Sequence, residues 1–141
     1  MTEAIKLEPS NLREVWPAMR PCLIEMKRLW PALGSWYIED VYVSIATEES
    51  VVYMTEDGFA VCMPSQDEYS GETDLFIWLA YSFEKGGNMI GKYLPSFIEV
   101  ARSLGYRAVT TRSNHPALAK IPELVPVYTE YRVLIDAEET G

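Results

Sequence analysis

Seven consecutive apolar residues, Leu75-Phe76-Ile77-Trp78-Leu79-Ala80-Tyr81, followed by a glycine-bearing turn and a helix-period pattern, constrain this chain more than any other feature. The run has strand length and carries aromatic and β-branched side chains, which predicts a strand buried on both faces and central in its sheet. Next comes Glu84-Lys85-Gly86-Gly87-Asn88-Met89-Ile90-Gly91, with three glycines in six residues. A backbone without Cβ atoms can approach a ligand closely. The free amides and positive dipole end of a helix starting there suit a phosphate. Lys85 and Lys92 flank the turn. The helix is predicted from Ile90, Leu94, Phe97, Ile98, Ala101 and Leu104, which share one face of a 3.6-residue repeat, and Gly105 ends it. Pro95 implies that the helix either starts close to that residue or kinks there.

The remaining elements are read in order. Ala4 to Leu7 alternates and ends at Pro9, predicting a first strand. Asn11-Leu12-Arg13-Glu14 has capping-box spacing, but Pro17 and Pro21 interrupt the face that follows, so a broken pair of short helices is expected, the second starting near Pro21. Ser35 is the expected N-cap of another helix, with Trp36, Ile38, Val41, Tyr42 and Ile45 as its apolar face. Val51 to Met54 and Phe59 to Met63 flank Asp57-Gly58, which predicts an antiparallel hairpin. Pro64 to Thr73 reads as a polar loop. Tyr106 to Thr111 is the expected strand after the long helix, parallel to the central one through a right-handed crossover. Asn114 should cap a short helix between Pro116 and Pro122, and Val127 to Ile135 should be a final strand. The fold class is therefore α/β: one mixed sheet of about six strands, antiparallel in its N-terminal part, with a parallel pair joined by the central helix.

A length of 141 residues fits one domain, residues 1–141, with a frayed tail from Ala137 to Gly141. No apolar run reaches the ~18 residues of a membrane span, and the N-terminus lacks the layout of a signal peptide, so a cytoplasmic protein without membrane partners is expected. Cys22 and Cys62 lie in apolar surroundings without Cys-x-x-Cys spacing and read as buried free thiols. One histidine, His115, excludes a His-rich metal cluster, and no metal site is expected. Residues 1–75 hold 14 acids and 5 bases, net −9, whereas residues 76–141 hold 7 of each. No Lys or Arg occurs between Arg28 and Lys85. A field of one sign favours a cationic partner and disfavours direct binding to nucleic acid.

The order of strand, glycine turn, helix ending in Leu104-Gly105-Tyr106, strand and Asn resembles the acyl-CoA-binding core of the GNAT superfamily of N-acyltransferases. The matching residues are Gly86-Gly87-Asn88-Met89-Ile90-Gly91-Lys92-Tyr93-Leu94, Ser103 to Tyr106, Ala108 to Thr111 and Asn114. The loop is a degenerate version of the family's pyrophosphate site: Gly86 stands where the family usually has Arg or Gln, and Met89 where it has the middle glycine. The resemblance implies acetyl-CoA as co-substrate and an amine, on a small molecule or a protein, as acceptor. It implies main-chain groups of Leu79, Ala80 and Tyr81 against the thioester carbonyl. Lys85, Gly86, Gly87, Asn88, Met89, Ile90, Gly91 and Lys92 would take the pyrophosphate, and Asn114 would face the cofactor arm.

The catalytic residues are less determined. Glu72 and Asp74 at the start of the central strand, with Glu68 before them, are candidate bases for the amine proton. The position where the family often has its acidic Tyr is Ile121, so Tyr128, or Tyr131, is the candidate acid. Two alternatives stay open: a GNAT-fold protein that binds CoA or a protein partner without transfer, and an acidic decoy of nucleic acid. A homodimer is admitted, and the sequence leaves the acceptor unidentified.

Overall fold

Glu56 and Asp57 form the two-residue connection of a hairpin whose first closing pair is Thr55 opposite Gly58. The Thr55 hydroxyl locks it, accepting from the Asp57 amide at 3.0 Å and donating to the Gly58 carbonyl at 3.1 Å. From this hairpin the sheet is built outward. The structure is a computed structural model that describes residues 4–30, 36–112, 116–127, 131, 133 and 135. Its strands are β1 (Ile5–Lys6), β2 (Val51–Thr55), β3 (Gly58–Gln66), β4 (Thr73–Ser82) and β5 (Ala108–Thr111), in spatial order β1-β2-β3-β4-β5. All neighbours are antiparallel except β4 and β5, which are parallel. Three α-helices cover the faces: α1 (Leu12–Leu29), α2 (Ile38–Ala46) and α3 (Met89–Ser103). The expected α/β mixed sheet is thus present, with β4 interior and β3 in the middle. Among the described residues no helix is long and apolar enough to cross a membrane.

Helix α1 is continuous, where the sequence predicted a break. Each proline removes one amide donor, at a cost of ~3 kcal/mol in a helix interior. Pro17 and Pro21 are both exposed, one turn apart, so the carbonyls left without donors lie toward water. The opposite face buries Leu12, Met19, Leu23 and Met26, and each such side chain contributes about 1.5–3 kcal/mol. Burial of that face outweighs the two lost bonds. Pro95 is accommodated in α3 by the same logic. It is exposed, while Met89, Tyr93, Leu94, Phe97 and Ala101 are buried, and the helix starts six residues before it.

Other boundaries also moved. The cap of α2 is Tyr37, whose amide donates to the Asp40 carboxylate at 2.8 Å; Ser35 lies outside the described residues. Strand β3 runs on through Pro64 to Gln66, paired with Leu75 to Thr73, so the loop before β4 is shorter than expected. The end of α3 follows the glycine rule: Gly105 has φ +73°, the Gly105 amide donates to the Arg102 carbonyl and the Tyr106 amide to the Ala101 carbonyl. A 3-10 turn, Pro116–Lys120, occupies the place of the expected short helix. The expected final strand falls largely outside the described residues. Its described members Val127, Tyr131, Val133 and Ile135 are exposed and lie in no strand.

Strand β4 does not alternate simply. Val61 pairs with Leu79 and Cys62 with Ile77, which leaves Trp78 without an opposite number and makes a β-bulge. Leu75 and Ile77 pack under α3 with Phe97 and Tyr93. Beyond the bulge the odd residues change sides: Leu79 and Tyr81 join Trp78 against α1 and α2, and Ala80 takes the α3 face. Burial along the strand reflects this, with Leu75, Ile77 and Leu79 fully buried and the residues between them half-buried, rather than buried on both faces throughout. Cys62 is buried and its thiol is pushed up to about 12 by desolvation; Cys22 is half-buried, and both are free, as expected.

Candidate functional site

The parallel pair is short. Asp74 stands opposite Ala108 and Ile77 opposite Thr111, where the Thr111 hydroxyl donates to the Ile77 carbonyl at 3.1 Å. There the pairing ends, one residue before the bulge, while β4 continues to Ser82. Among the described residues no strand stands against the β4 edge from Trp78 to Ser82 on the side away from β3. The two strands part at this level.

At the end of that open edge lies the glycine turn. Gly86 has φ +80°, a conformation that favours glycine, and nothing lies within 4 Å of where a Cβ would be. The Gly87 amide donates to the Glu84 carbonyl, and the Asn88 side chain accepts from the Gly91 amide at 3.0 Å. Asn88 is therefore a side-chain N-cap of α3. Its carboxamide lies where a Gly91 side chain would stand, with the Cβ position 2.4 Å from Asn88 Nδ2. The amides of Asn88, Met89 and Ile90 donate to no acceptor among the described residues. Three uncommitted donors at the positive end of a 15-residue helix are the kind of chemistry that suits an anion.

The expected residues are only partly gathered here. Leu79, Ala80 and Tyr81 lie on the open edge, and Lys85 is exposed in the turn with no ion pair among the described residues. Gly91 and Lys92 depart from expectation. The Gly91 amide is taken by Asn88, and Lys92 Nζ is bound to Asp57 Oδ2 at 2.6 Å, where it is held beside the hairpin instead of standing free for a phosphate. Tyr93 donates its hydroxyl to the same Asp57 oxygen at 2.6 Å. A cleft of about 400 Å³ between turn and hairpin is lined by Glu56, Asp57, Glu84, Asn88 and Lys92 among others, so that flank is acidic. One cation escaped sequence reasoning: Arg112 follows β5 where the strands part and lies over the Phe76 ring at 4.8 Å. Its place after the paired strand was the available signal.

Glu72 and Asp74 are at the far end of β4, about 25 Å from Ser82 at ~3.3 Å per residue. Both are committed to Arg107, which grips the Asp74 carboxylate through two bonds of 3.1 Å and Glu72 through one of 2.9 Å. Asp67 stands 3.8 Å from the same guanidinium, while Glu68 is exposed in the neighbouring turn. These carboxylates raise the affinity of Arg107 for its proton. The structure does not bring Glu72 and Asp74 to the glycine turn. Asn114 and Tyr128 lie outside the described residues, and Tyr131 is exposed. The acidic stretch is also partly neutralised, since Glu39, Asp57, Asp67, Glu72 and Asp74 all sit in ion pairs. Among the described residues no group of three His, Cys, Asp or Glu could hold a metal ion.

The Asp57 contact gives a pH signature. Hydrogen bonds from Lys92, then from Tyr93, hold its carboxyl below the usual aspartate range. A depressed native value contributes stability that is present above the unfolded value and lost as pH falls through the native one. Asp57→Asn is therefore expected to lower the melting temperature at pH 7 and to flatten its acid limb. Melting curves between pH 2 and pH 7 that fall in parallel for both proteins would contradict the pairing.

No family model matches the chain, and no curated protein does. Solved structures do. It is similar to a ribosomal-protein-alanine N-acetyltransferase from Brucella melitensis biovar Abortus 2308, with TM-score 0.66 and 9% identity over 96% of this chain and 100% of that one. An acetyltransferase of Trypanosoma brucei has TM-score 0.61 and 17% identity over 96% and 99%. An aminoglycoside acetyltransferase from an uncultured soil metagenomic sample, in complex with sisomicin, has TM-score 0.60 and 11% identity over 96% and 97%. This chain shares the fold of these solved acetyltransferases.

Proposed function

We propose that this protein is an N-acetyltransferase that moves an acetyl group from acetyl-CoA to an amine on a cationic substrate. One observation carries the reading: β4–β5 pairing ends at Ile77 and Thr111, beside the bulge at Trp78, while the open β4 edge leads to three free amides at the start of α3. An extended arm ending in a diphosphate fits that layout. Main-chain groups from Trp78 to Ser82 would lie along the arm, and the Asn88, Met89 and Ile90 amides would take the diphosphate, with Lys85 adding charge. Acetyl-CoA supplies the activated acyl group. The likeness in fold to acetyltransferases supports the same reading. The acidic first half of the sequence, net −9, favours a cationic acceptor.

A second reading is favoured by Lys92 and Gly91, whose expected phosphate contacts are used within the protein. Under it, the chain keeps the GNAT fold to bind a CoA-type ligand or a partner without transferring anything. Thiol release from acetyl-CoA with a panel of primary amines separates the two. The transferase reading expects amine-dependent release well above hydrolysis; stabilisation by acetyl-CoA without release from any amine favours the second.

A further inference from the structure

With Glu72 and Asp74 committed to Arg107, the open part of β4 needs its proton acceptor from elsewhere, and α1 supplies a carboxylate. The Tyr81 hydroxyl, three residues beyond the bulge, donates to Glu25 Oε2 at 3.3 Å. The Tyr81 ring is held by stacking on Phe59, at 5.7 Å between centroids, and by an edge contact with Phe83 at 6.2 Å. Phe83 is 52% exposed. Glu25 is itself exposed and in no ion pair among the described residues, unlike Asp57, Asp67, Glu72 and Asp74. Its one side-chain bond among the described residues reaches the stretch of β4 that lacks a neighbour. An ion-pair-free carboxylate beside exposed aromatic surface is the chemistry that holds an ammonium group.

Resting on the transferase reading above, we propose that Glu25, positioned by Tyr81, receives the acceptor's ammonium and takes its first proton. The step balances without any further reagent. The ammonium loses one proton to the Glu25 carboxylate, which passes it to water. The freed nitrogen lone pair then forms the C–N bond as the thioester C–S bond breaks. A second nitrogen proton ends on the departing thiolate, leaving an amide, a thiol and one proton in solution. Tyr81 keeps its proton throughout: burial, ahead of the nearby Cys22 and Glu25, holds the phenol above its usual range. The substrate class is a primary or secondary ammonium with apolar surface next to it, able to lie against Tyr81 and Phe83.

The test uses the full chain with acetyl-CoA and a panel comprising a diamine, an aminosugar and a lysine-bearing peptide, read by thiol release and by acetyl-CoA-induced thermal shift. Glu25→Gln is expected to lower kcat about 100-fold, the low end for loss of an acid-base group. Its thermal shift with acetyl-CoA should match the parent's. Glu25→Asp should recover part of the lost rate, and Tyr81→Phe should mainly raise KM for the amine. A parent that transfers, with Glu25→Gln within twofold of it in kcat and KM, overturns the Glu25 assignment and leaves the transferase reading standing. A parent inert with every amine overturns both.

Discussion

Gly58→Ala is expected to be among the most damaging single substitutions in this chain. The added methyl would sit 1.9 Å from the Tyr81 carbonyl oxygen and 2.9 Å from its carbon. Both atoms are backbone of β4, so no rotamer change relieves the clash. Adding a methylene to a packed core costs typically 1–3 kcal/mol through side-chain adjustment. Here the strands themselves would have to part, and a loss of at least ~3 kcal/mol is expected, a large share of a typical 5–15 kcal/mol. Damage would spread beyond the hairpin. Gly58 pairs with Ser82, and the Phe83 amide donates to the Asp57 carbonyl at 2.9 Å, so the end of β4 that feeds the glycine turn hangs on this contact. Urea denaturation measures it. A midpoint unchanged from the parent would mean that β3 and β4 do not approach this closely.

Gly87→Val should spare the fold and abolish the response to acetyl-CoA. A Cβ at position 87 would lie 3.0 Å from Ser82 Cβ and 3.1 Å from the Glu84 carbonyl oxygen. At these distances Ser82 and the Glu84 carbonyl must give by a few tenths of an ångström for a Cβ alone, and the two γ-methyls of valine add to the crowding in an exposed turn away from the buried core. On the transferase reading, the Asn88, Met89 and Ile90 amides, which follow directly, would then be displaced from the ligand. For the parent, ligand at ~100 times Kd should stabilise by about 2.7 kcal/mol, several degrees in melting temperature. For Gly87→Val the shift should vanish while the melting temperature without ligand stays within a few degrees. A full shift retained by the variant would remove the turn from the ligand site.

The two variants act on the same corner through different physics, and the distinction separates architecture from binding. Gly58 matters because two backbones touch, whether or not a ligand exists. On the transferase reading, Gly87 matters because the three amides after it must stay open to the ligand. If Gly58→Ala alone had an effect, the corner would be a structural joint only.

Much of this was legible in the residues. The apolar run from Leu75 to Tyr81 marked an interior strand though not its half-buried alternate residues, the Asp57-Gly58 dipeptide located the hairpin although its turn is Glu56-Asp57, and the α3 face with Gly105 after it marked a helix with its end. These are local rules, fixed by side-chain period and backbone freedom over a few residues. The prolines misled because propensity is also local. Whether Pro17 and Pro21 break a helix depends on where their orphaned carbonyls point, and that is set by the sheet beneath α1.

The site residues divide the same way. A glycine turn before a helix announced free amides, but spacing does not say which of them the chain will use for itself. Asn88 folding back on the Gly91 amide, and Asp57 reaching Lys92 from 35 positions away, required the hairpin and helix to be packed together. Glu25 and Tyr81 are 56 positions apart and meet only because the bulge at Trp78 reverses the faces of β4. Sequence by itself determined the central strand, the hairpin, helix α3 and the donor-rich turn, since each follows from contacts within one segment. Tertiary structure alone decided which carboxylates are spent in ion pairs and which one meets Tyr81, because charge pairing depends on distance in space and a single unpaired strand residue redirects every side chain after it.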